Sequence, residues 1–586
     1  MHEEPPMCLA GSPRFVALRL SAALLLTAGL FGVRLLSAAA QTPQAPAFGS
    51  GLEICTAPAA PVELVNPIVV SNCTQAGLQA ALDTGGHIAF DCGAGAAAIP
   101  LASELVLNPN VSTVIDGGGQ VTLDGQGQTR ILSKGWHDPA AVGDVHITLQ
   151  NIRLINGRAP AGTSTGEHSG GALAAGHPGT HVYLINSTFE NNQTTEKYIP
   201  DNQGGAVFVH NAYETVISGS VFRGNQAGNG GAFGGIATGL IIVNSRFEDN
   251  QATDATDDQE IVRGYGGAVH LDGVTNSYNP DSRHQVYVCG SVFQNNLAVR
   301  GGGALSVVVS DNKGTLATYQ QSSFIDNQAI GTSSGDFGNG GALYHIEDDH
   351  DGGRAEYNFE IKDATFQGNQ AHRQGGGVWL YILGRGQVLN STFSANTTTA
   401  GFNQVGQGGG MIVHLGVIEI INTLFANNHA DYQAGALHAG GASDPDRVVT
   451  LTNTIFADNT LNYGQTQPSE TRWQGYHTNR PMADGGSNIQ YPQYKPVYDN
   501  DVNNWITANP IFLEPKLGIL GAYGGPTETI PLLAGSPAID AGKIEACPGL
   551  DQRGASRSGR CDIGPFEFEG TFVIPTEWTY LPLLRR

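Results

Sequence analysis

Positive charge is scarce in this chain: 29 Lys and Arg stand against 52 Asp and Glu, for a formal net charge of −23 over 586 residues. Such a field repels nucleic acid and anionic membrane surfaces, so it argues against both as partners and favours neutral glycans or cations. Charged residues of either sign make up only 14% of the sequence, against an ordinary share of about 25%. No heptad or 3.6-residue hydrophobic period runs through it, which disfavours a coiled coil or a helical solenoid. No HExxH helix or GxxxxGK phosphate-binding loop occurs either. The 127 residues after Asn459 (586 minus 459) hold too few alternating segments for a transmembrane β-barrel. The closing EWTYLPLLRR is too short and too Pro-interrupted to span a bilayer.

Glycine, by contrast, is abundant, at 80 residues without collagen's every-third-residue period, and this implies many tight turns. Residues 1–40 read as an export signal: Arg14 and Arg19 precede the apolar run Leu20 to Leu30, and Ala38, Ala39 and Ala40 offer a small-residue cleavage site. Cys8 lies upstream of the apolar run, where a lipoprotein cysteine would not be. The expected location is extracellular or on the cell surface or outer membrane, a setting that permits disulfides. Cys73 with Cys92, and Cys547 with Cys561, are the expected pairs because each closes a short loop near one end of the repetitive body. Cys55 and Cys289 have no assigned partner.

Self-comparison decides the fold class. Nine Phe-x-x-Asn units keep a common register: FENN at Phe189, FRGN at Phe222, FEDN at Phe247, FQNN at Phe293, FIDN at Phe324, FQGN at Phe366, FSAN at Phe393, FANN at Phe425 and FADN at Phe456. Their spacing averages about 33 residues, in the solenoid range, and varies from 25 to 46 as loops of unequal length would require. Gly-Gly-Ala or a close variant alternates with them, at Gly170, Gly204, Gly230, Gly266, Gly302, Gly340, Gly375, Gly408 and Ala434. The expected class is all-β, a right-handed parallel β-helix with an N-terminal cap and a Gly/Pro-rich C-terminal domain. Phe would form an internal ladder and Asn would bond the backbone of the next rung.

The GGA and FxxN units, over about residues 150–460, resemble the repeats of chlamydial polymorphic outer-membrane proteins and of bacterial right-handed β-helix repeat proteins. Upstream, the segment from Cys73 to Gly127 is similar to the entry cap of pectate-lyase-like β-helices. Downstream, NPIF at 509–512, LGAYGGPTETIPLLAGSPAIDAG, DQRGASRSG and DIGPFEFEG resemble the choice-of-anchor Q domain of secreted β-helix proteins. That resemblance implies envelope attachment. In chemical terms the segment is a series of turns with buried Ile539, Ile563 and Phe566, and with Asp540 and Asp562 placed for turn hydrogen bonds or, alternatively, for calcium. The expected organisation is a signal peptide at 1–40, a linker and cap at 41–105, repeats at 106–470, an insertion at 471–508, the choice-of-anchor Q-like domain at 509–569 and a tail at 570–586.

Counting the first residue of each Gly-Gly pair as zero, position three is always apolar, from Leu173 and Val207 to Met411 and Leu437, so odd positions face the core. Positions four and six should then face solvent. There they would gather Phe208, His210, Tyr344, Trp379, Tyr381 and His414 into a stripe able to stack on sugars, alongside His270 and His438, unless loops or the chain's own extensions cover this face, for which the longer intervals supply enough chain. Histidine in that row is expected to be no metal site, because its spacing is irregular.

Two loops carry the ingredients of carboxylate chemistry: Asp254, Asp257, Asp258, Glu260 and Arg263, and then Glu347, Asp348, Asp349, Asp351 and Arg354. Asp348, Asp349 and Asp351 are the calcium candidates, and no other cofactor is evident. The sequence thus points to an adhesin-like or glycan-binding scaffold whose partner is an extracellular glycan or cell-surface ligand. The alternative is a lyase or hydrolase of acidic polysaccharide, with solvated acidic loops as the plainer account of those carboxylates.

Overall fold

The computed structural model describes residues 54–134, 144–161, 168–194, 202–253, 263–275, 282–310, 315–332, 337–349, 357–400, 405–440, 447–462, 476–493, 505–557 and 559–572. These residues form a right-handed parallel β-helix whose coils stack into three long sheets of 23, 13 and 8 strands among the described residues. The 23-stranded sheet contains two rows. One begins at position three of each Gly-Gly turn, as in Val207–His210 and Leu343–Asp349; the other follows it in the coil, as in Val145–Gln150, Thr180–Ile185 and Glu214–Ser218. Toward the C-terminal end the two rows fuse into the single strands Val378–Leu389 and Met411–Ile421.

The 13-stranded sheet is built on the FxxN phenylalanines, which pair in register from Phe189 to Phe456. Their rings stack at 4.6–5.2 Å between centroids, close to the ~4.8 Å strand repeat. The third residue of each unit turns the chain with positive φ, for example Asn191 at 54°, Gly224 at 63°, Asp249 at 56° and Ala395 at 56°. Asn, Asp and Gly tolerate that conformation best. The fourth residue enters the core. From Asn192 to Asn428 each backbone N–H donates to the next rung's Asn Oδ1 at 2.9–3.1 Å, as Asn Nδ2 does at 2.9–3.0 Å, and Asn459 closes the series as acceptor. Nδ2 also reaches the preceding rung's Phe carbonyl, as Asn225 does to Phe189 O at 3.0 Å. The buried turn thereby satisfies its own polar groups.

The coil is longer than the repeat region 106–470. Ile68–Val70 and Gly86–Phe90 pair in parallel with later strands, and at the other end Ile455 pairs with Ile489 and Thr450 with Ala483. The segment read as an insertion at 471–508 therefore supplies a further rung, against which Ile511 bridges in turn.

The entry is covered by the helix Gln75–Thr84, N-capped by Thr74, with Leu78, Ala81 and Leu82 buried. The Cys73–Cys92 disulfide stands beside it. Cys55 pairs with Cys289. That bond fixes a strap, residues 54–65, to the outside of the second row. Asn244 Oδ1 accepts from the Ile54 and Cys55 amides, Gln150 bonds both backbone groups of Val62, and the Val65 amide meets His87 Nδ1. Under it lie Val216, Ile241 and Val243, an outward apolar patch.

The C-terminal segment docks along the outer face of the 13-stranded sheet, where Leu424, Ile455 and Ile489 pack against Ile530, Leu532, Ile563 and Phe566. Gln552 reaches Thr392 and Thr365, Asn390 bonds Leu550 O, and Asn422 bonds Asp562 O. Cys547–Cys561 closes a loop within this segment. Its charged motif residues point inward: Arg553 pairs with Asp551 at 2.6 Å over the Phe566 ring, and Arg557 pairs with Glu567 at 3.0 Å. Asp562 accepts from the amides of Asp540 and Phe568. Its carboxylate is thereby engaged in turn bonds, as one of the two sequence readings had it.

Candidate functional site

The stripe at position four is largely covered rather than solvent-facing. Phe208, Ser306 and Ile412 are fully buried, His270 is nearly so, and Trp379 is 9% exposed. The glycine at position zero adopts positive φ, 63° at Gly204 and 67° at Gly375, and this sharp turn brings the residue before it over position four. Gln374 shows the result: its Oε1 accepts from Trp379 Nε1 at 3.2 Å and meets His414 Nε2 at 2.9 Å. Gln374, Gln407 and Gln433 then bond one another along the axis.

The structure does bring four of the six stripe residues together. The Trp379 ring stacks on Tyr344 at 4.4 Å and lies 4.8 Å from His414 and 6.4 Å from Tyr381. Burial, together with the Arg447 and Arg373 charges, pushes His414 down to about 4. Phe208 and His210 sit apart from these, four rungs nearer the N-terminal end, and burial lowers His210 as well.

The acidic loops offer no described cluster. Glu347 turns into the core against Asn358, and Arg263 is fully buried. Asp348 and Asp349 end the strand Leu343–Asp349, but their side chains lie outside the described residues. Asp351, Arg354, Asp254, Asp257, Asp258 and Glu260 lie outside them entirely. A polar groove of about 650 Å³ runs over the turn after the first FxxN units, lined by Asp124, Gln126, Asn156, Asn191, Gln193 and Gln226 among others. Asp124 is tied to the Gln126 amide and to Asn156 there.

A richer constellation stands on the outer face of the second row, on residues the sequence reading had not singled out. His146, His181 and Glu214 occupy one column of three successive strands in direct register. Alternation puts Val145, Ile147 and Val182 inside and these polar residues outside. The two imidazoles stack at 4.4 Å with planes 4° apart. Asp144 Oδ1 lies 2.9 Å from His146 Nε2 and 3.2 Å from His181 Nε2. On its other side, His181 Nδ1 is 3.1 Å from Glu214 Oε1.

Glu214 is held from three directions, because Tyr183 Oη donates to Oε1 at 2.8 Å and Arg283 to Oε2 at 2.7 Å. Burial by itself would raise this carboxyl, but the hydrogen bonds from Arg283, Tyr183 and His181 outweigh it and hold it below the usual range. Burial and the Glu214 bond push the Tyr183 phenol up, so it remains a donor. Tyr213 lies 4.8 Å from the His181 ring and is 37% exposed, while the Arg283 side chain is 42% exposed. One outward face therefore offers an aromatic ring, a guanidinium and an imidazole set between two carboxylates.

A sequence signal for this column exists in hindsight. His146, His181 and Glu214 each stand eight residues before the ladder residue of their rung, Leu154, Phe189 and Phe222. The column lies outside the positions that follow each Gly-Gly pair, which are the ones the repeat marks most plainly.

No family model matches the chain, and no curated protein matches it. Among solved structures it is similar to the catalytic domain of a GH87 α-1,3-glucanase in complex with nigerose, at 11% identity and a TM-score of 0.39 over 73% of this chain and 70% of that one. An alginate lyase in complex with G6 aligns at 12% identity and a TM-score of 0.34, over 78% and 90%. The pectate lyase Pel9A aligns at 12% and 0.25, over 84% and 90%.

Proposed function

We propose that the protein is exported and acts on polysaccharide at the outer face of the second row. The observation that carries this reading is the face shared by Tyr213, His181, Glu214 and Arg283. An exposed tyrosine ring offers a platform for a sugar ring. The exposed edge of Arg283 offers donors to hydroxyls or to a uronate carboxylate. His181 and Glu214, joined at 3.1 Å, are a pair through which a proton can pass to or from a glycosidic centre. Three disulfides support an oxidising extracellular setting, with surface attachment through the C-terminal segment as part of the same proposal.

Incubating residues 41–586 with acidic and neutral polysaccharides, with and without calcium, tests it through both chain cleavage and retention. Cleavage should fall about 10²- to 10⁴-fold in Glu214→Gln and His181→Ala, and substrate should bind more weakly to Tyr213→Ala. Retention without cleavage, weakened by Tyr381→Ala, a half-buried ring of the Trp379 group, and unchanged in Glu214→Gln, would instead make the protein a glycan-binding scaffold. That second reading rests on the grouping of Tyr344, Trp379, Tyr381 and His414 beside the glutamine row.

A further inference from the structure

We infer that Asp144, His146 and His181 form a binding site for a divalent transition-metal ion, with Glu214 orienting His181 from behind. The Nε2 atoms of both imidazoles converge on one oxygen of Asp144, and the three ligand atoms lie within 4.8 Å of one another. The second observation is the position of His181 between two acids. Its Nδ1 faces Glu214 Oε1 at 3.1 Å and its Nε2 faces Asp144 Oδ1 at 3.2 Å. With Nδ1 turned to Glu214, Nε2 is the nitrogen placed to bind an ion on the side of Asp144.

The surroundings fit such an ion. A ligating histidine normally gives its other nitrogen to a carboxylate, which fixes tautomer and ring orientation, and Glu214 does so here while anchored by Arg283 and Tyr183. Two imidazoles and one carboxylate suit zinc, iron, nickel or cobalt rather than calcium, which takes six to eight oxygens. The Asp144 side chain is 75% exposed and that of His146 42%, so Asp144 can withdraw and the His146 ring, parallel to His181 here, can turn to aim its Nε2 at an ion bonded at about 2.0–2.2 Å. Three protein ligands would leave an outward position for water or a sugar oxygen, beside Tyr213. The negative net charge of the chain favours a cation at this surface.

This inference concerns the same face as the proposed function but does not require it, and its test uses no polysaccharide. Metal-free residues 41–586 are titrated with Co²⁺ at neutral pH, followed by visible absorption, and then with competing Zn²⁺. The expected result is one Co²⁺ per chain, displaced by Zn²⁺. Binding should be abolished in His146→Ala and Asp144→Asn, whose exposed side chains make unfolding no alternative account once circular dichroism matches the parent. Glu214→Gln should weaken it about 10- to 100-fold, and His429→Ala, on a separate His–Asp pair, should leave it unchanged. Absence of stoichiometric binding, or binding retained in Asp144→Asn and His146→Ala alike, overturns the inference. Cleavage that persists in chelator would leave the proposed function standing without the metal, and metal binding without cleavage would do the reverse.

Discussion

Each FxxN residue has one physical task, and the tasks differ in what they tolerate. Asn296 is fully buried and links three rungs, taking the Asn250 amide on Oδ1 and donating Nδ2 to Phe247 O and Asn327 Oδ1. Asn296→Ala leaves a buried amide and a carbonyl without partners, and should cost about 3 kcal/mol in urea unfolding. Ala395 is the reverse case, because it holds the positive-φ position at 56° where the neighbouring rungs have Gly368 and Asn427. Its side chain is exposed, so Ala395→Asn or Ala395→Gly should raise stability by about 1 kcal/mol, read as a higher urea midpoint. Asp363 occupies another turn row at φ 51°, in line with Asn390 and Asn422, and burial pushes its carboxyl up to about 7. Asp363→Asn should be neutral at pH 4 and stabilising at pH 8.

At the scale of elements, the strap and the C-terminal segment perform the same operation on two faces: each covers outward apolar residues that a bare coil would leave wet. The strap is the more dependent on a covalent bond. It buries Val216, Ile241 and Val243, while Val65 remains 65% exposed, and Cys55–Cys289 joins residues 234 apart in sequence. Cys55→Ser with Cys289→Ser should lower stability by about 2–4 kcal/mol. Limited proteolysis should then cut first within 54–65, ahead of any cut in the coil. The C-terminal segment is held instead by side chains, with Gln552 bonding Thr365, Thr392 and Thr527 at once. Gln552→Ala should therefore loosen the segment with all three disulfides intact, visible as faster amide exchange in 527–567.

The whole molecule holds two sets of buried titrating groups that act in opposite senses over one range of pH. His345, bonded to Tyr319 inside the coil, and His477 are buried and pushed down to about 3 and about 4. Their unfolded counterparts take up protons near pH 6.5, so the stability they carry is complete above that pH and is lost as the pH falls toward 4. Asp363 and Asp562, raised by burial to about 7 and about 6, act in the opposite sense. Their contribution is complete below about pH 4 and is lost as the pH rises through 6 to 7. In a melting-temperature profile the two sets oppose each other between about pH 4 and 7, so His345→Gln should make stability fall more with rising pH across that window and Asp363→Asn should make it rise more.

The fold was legible because a solenoid repeats its instructions. Nine copies of FxxN and the alternating Gly-Gly turns identified the ladder, the turn and the parallel stacking before any coordinates, since each packing residue must recur in every rung. What the tertiary structure decided were the relations that occur once. The pairing of Cys55 with Cys289 and the course of the strap follow from a single segment returning over the coil, and no repeat encodes that. Burial of Phe208 and Trp379 followed from the angle of the glycine turn, which alternation along a strand does not contain. The meeting of Asp144, His146, His181, Glu214 and Arg283 likewise draws on three rungs and two loop ends. Repetition is written along the chain, whereas a functional site here is written across it, and the register of the strands alone brings its residues within reach of one another.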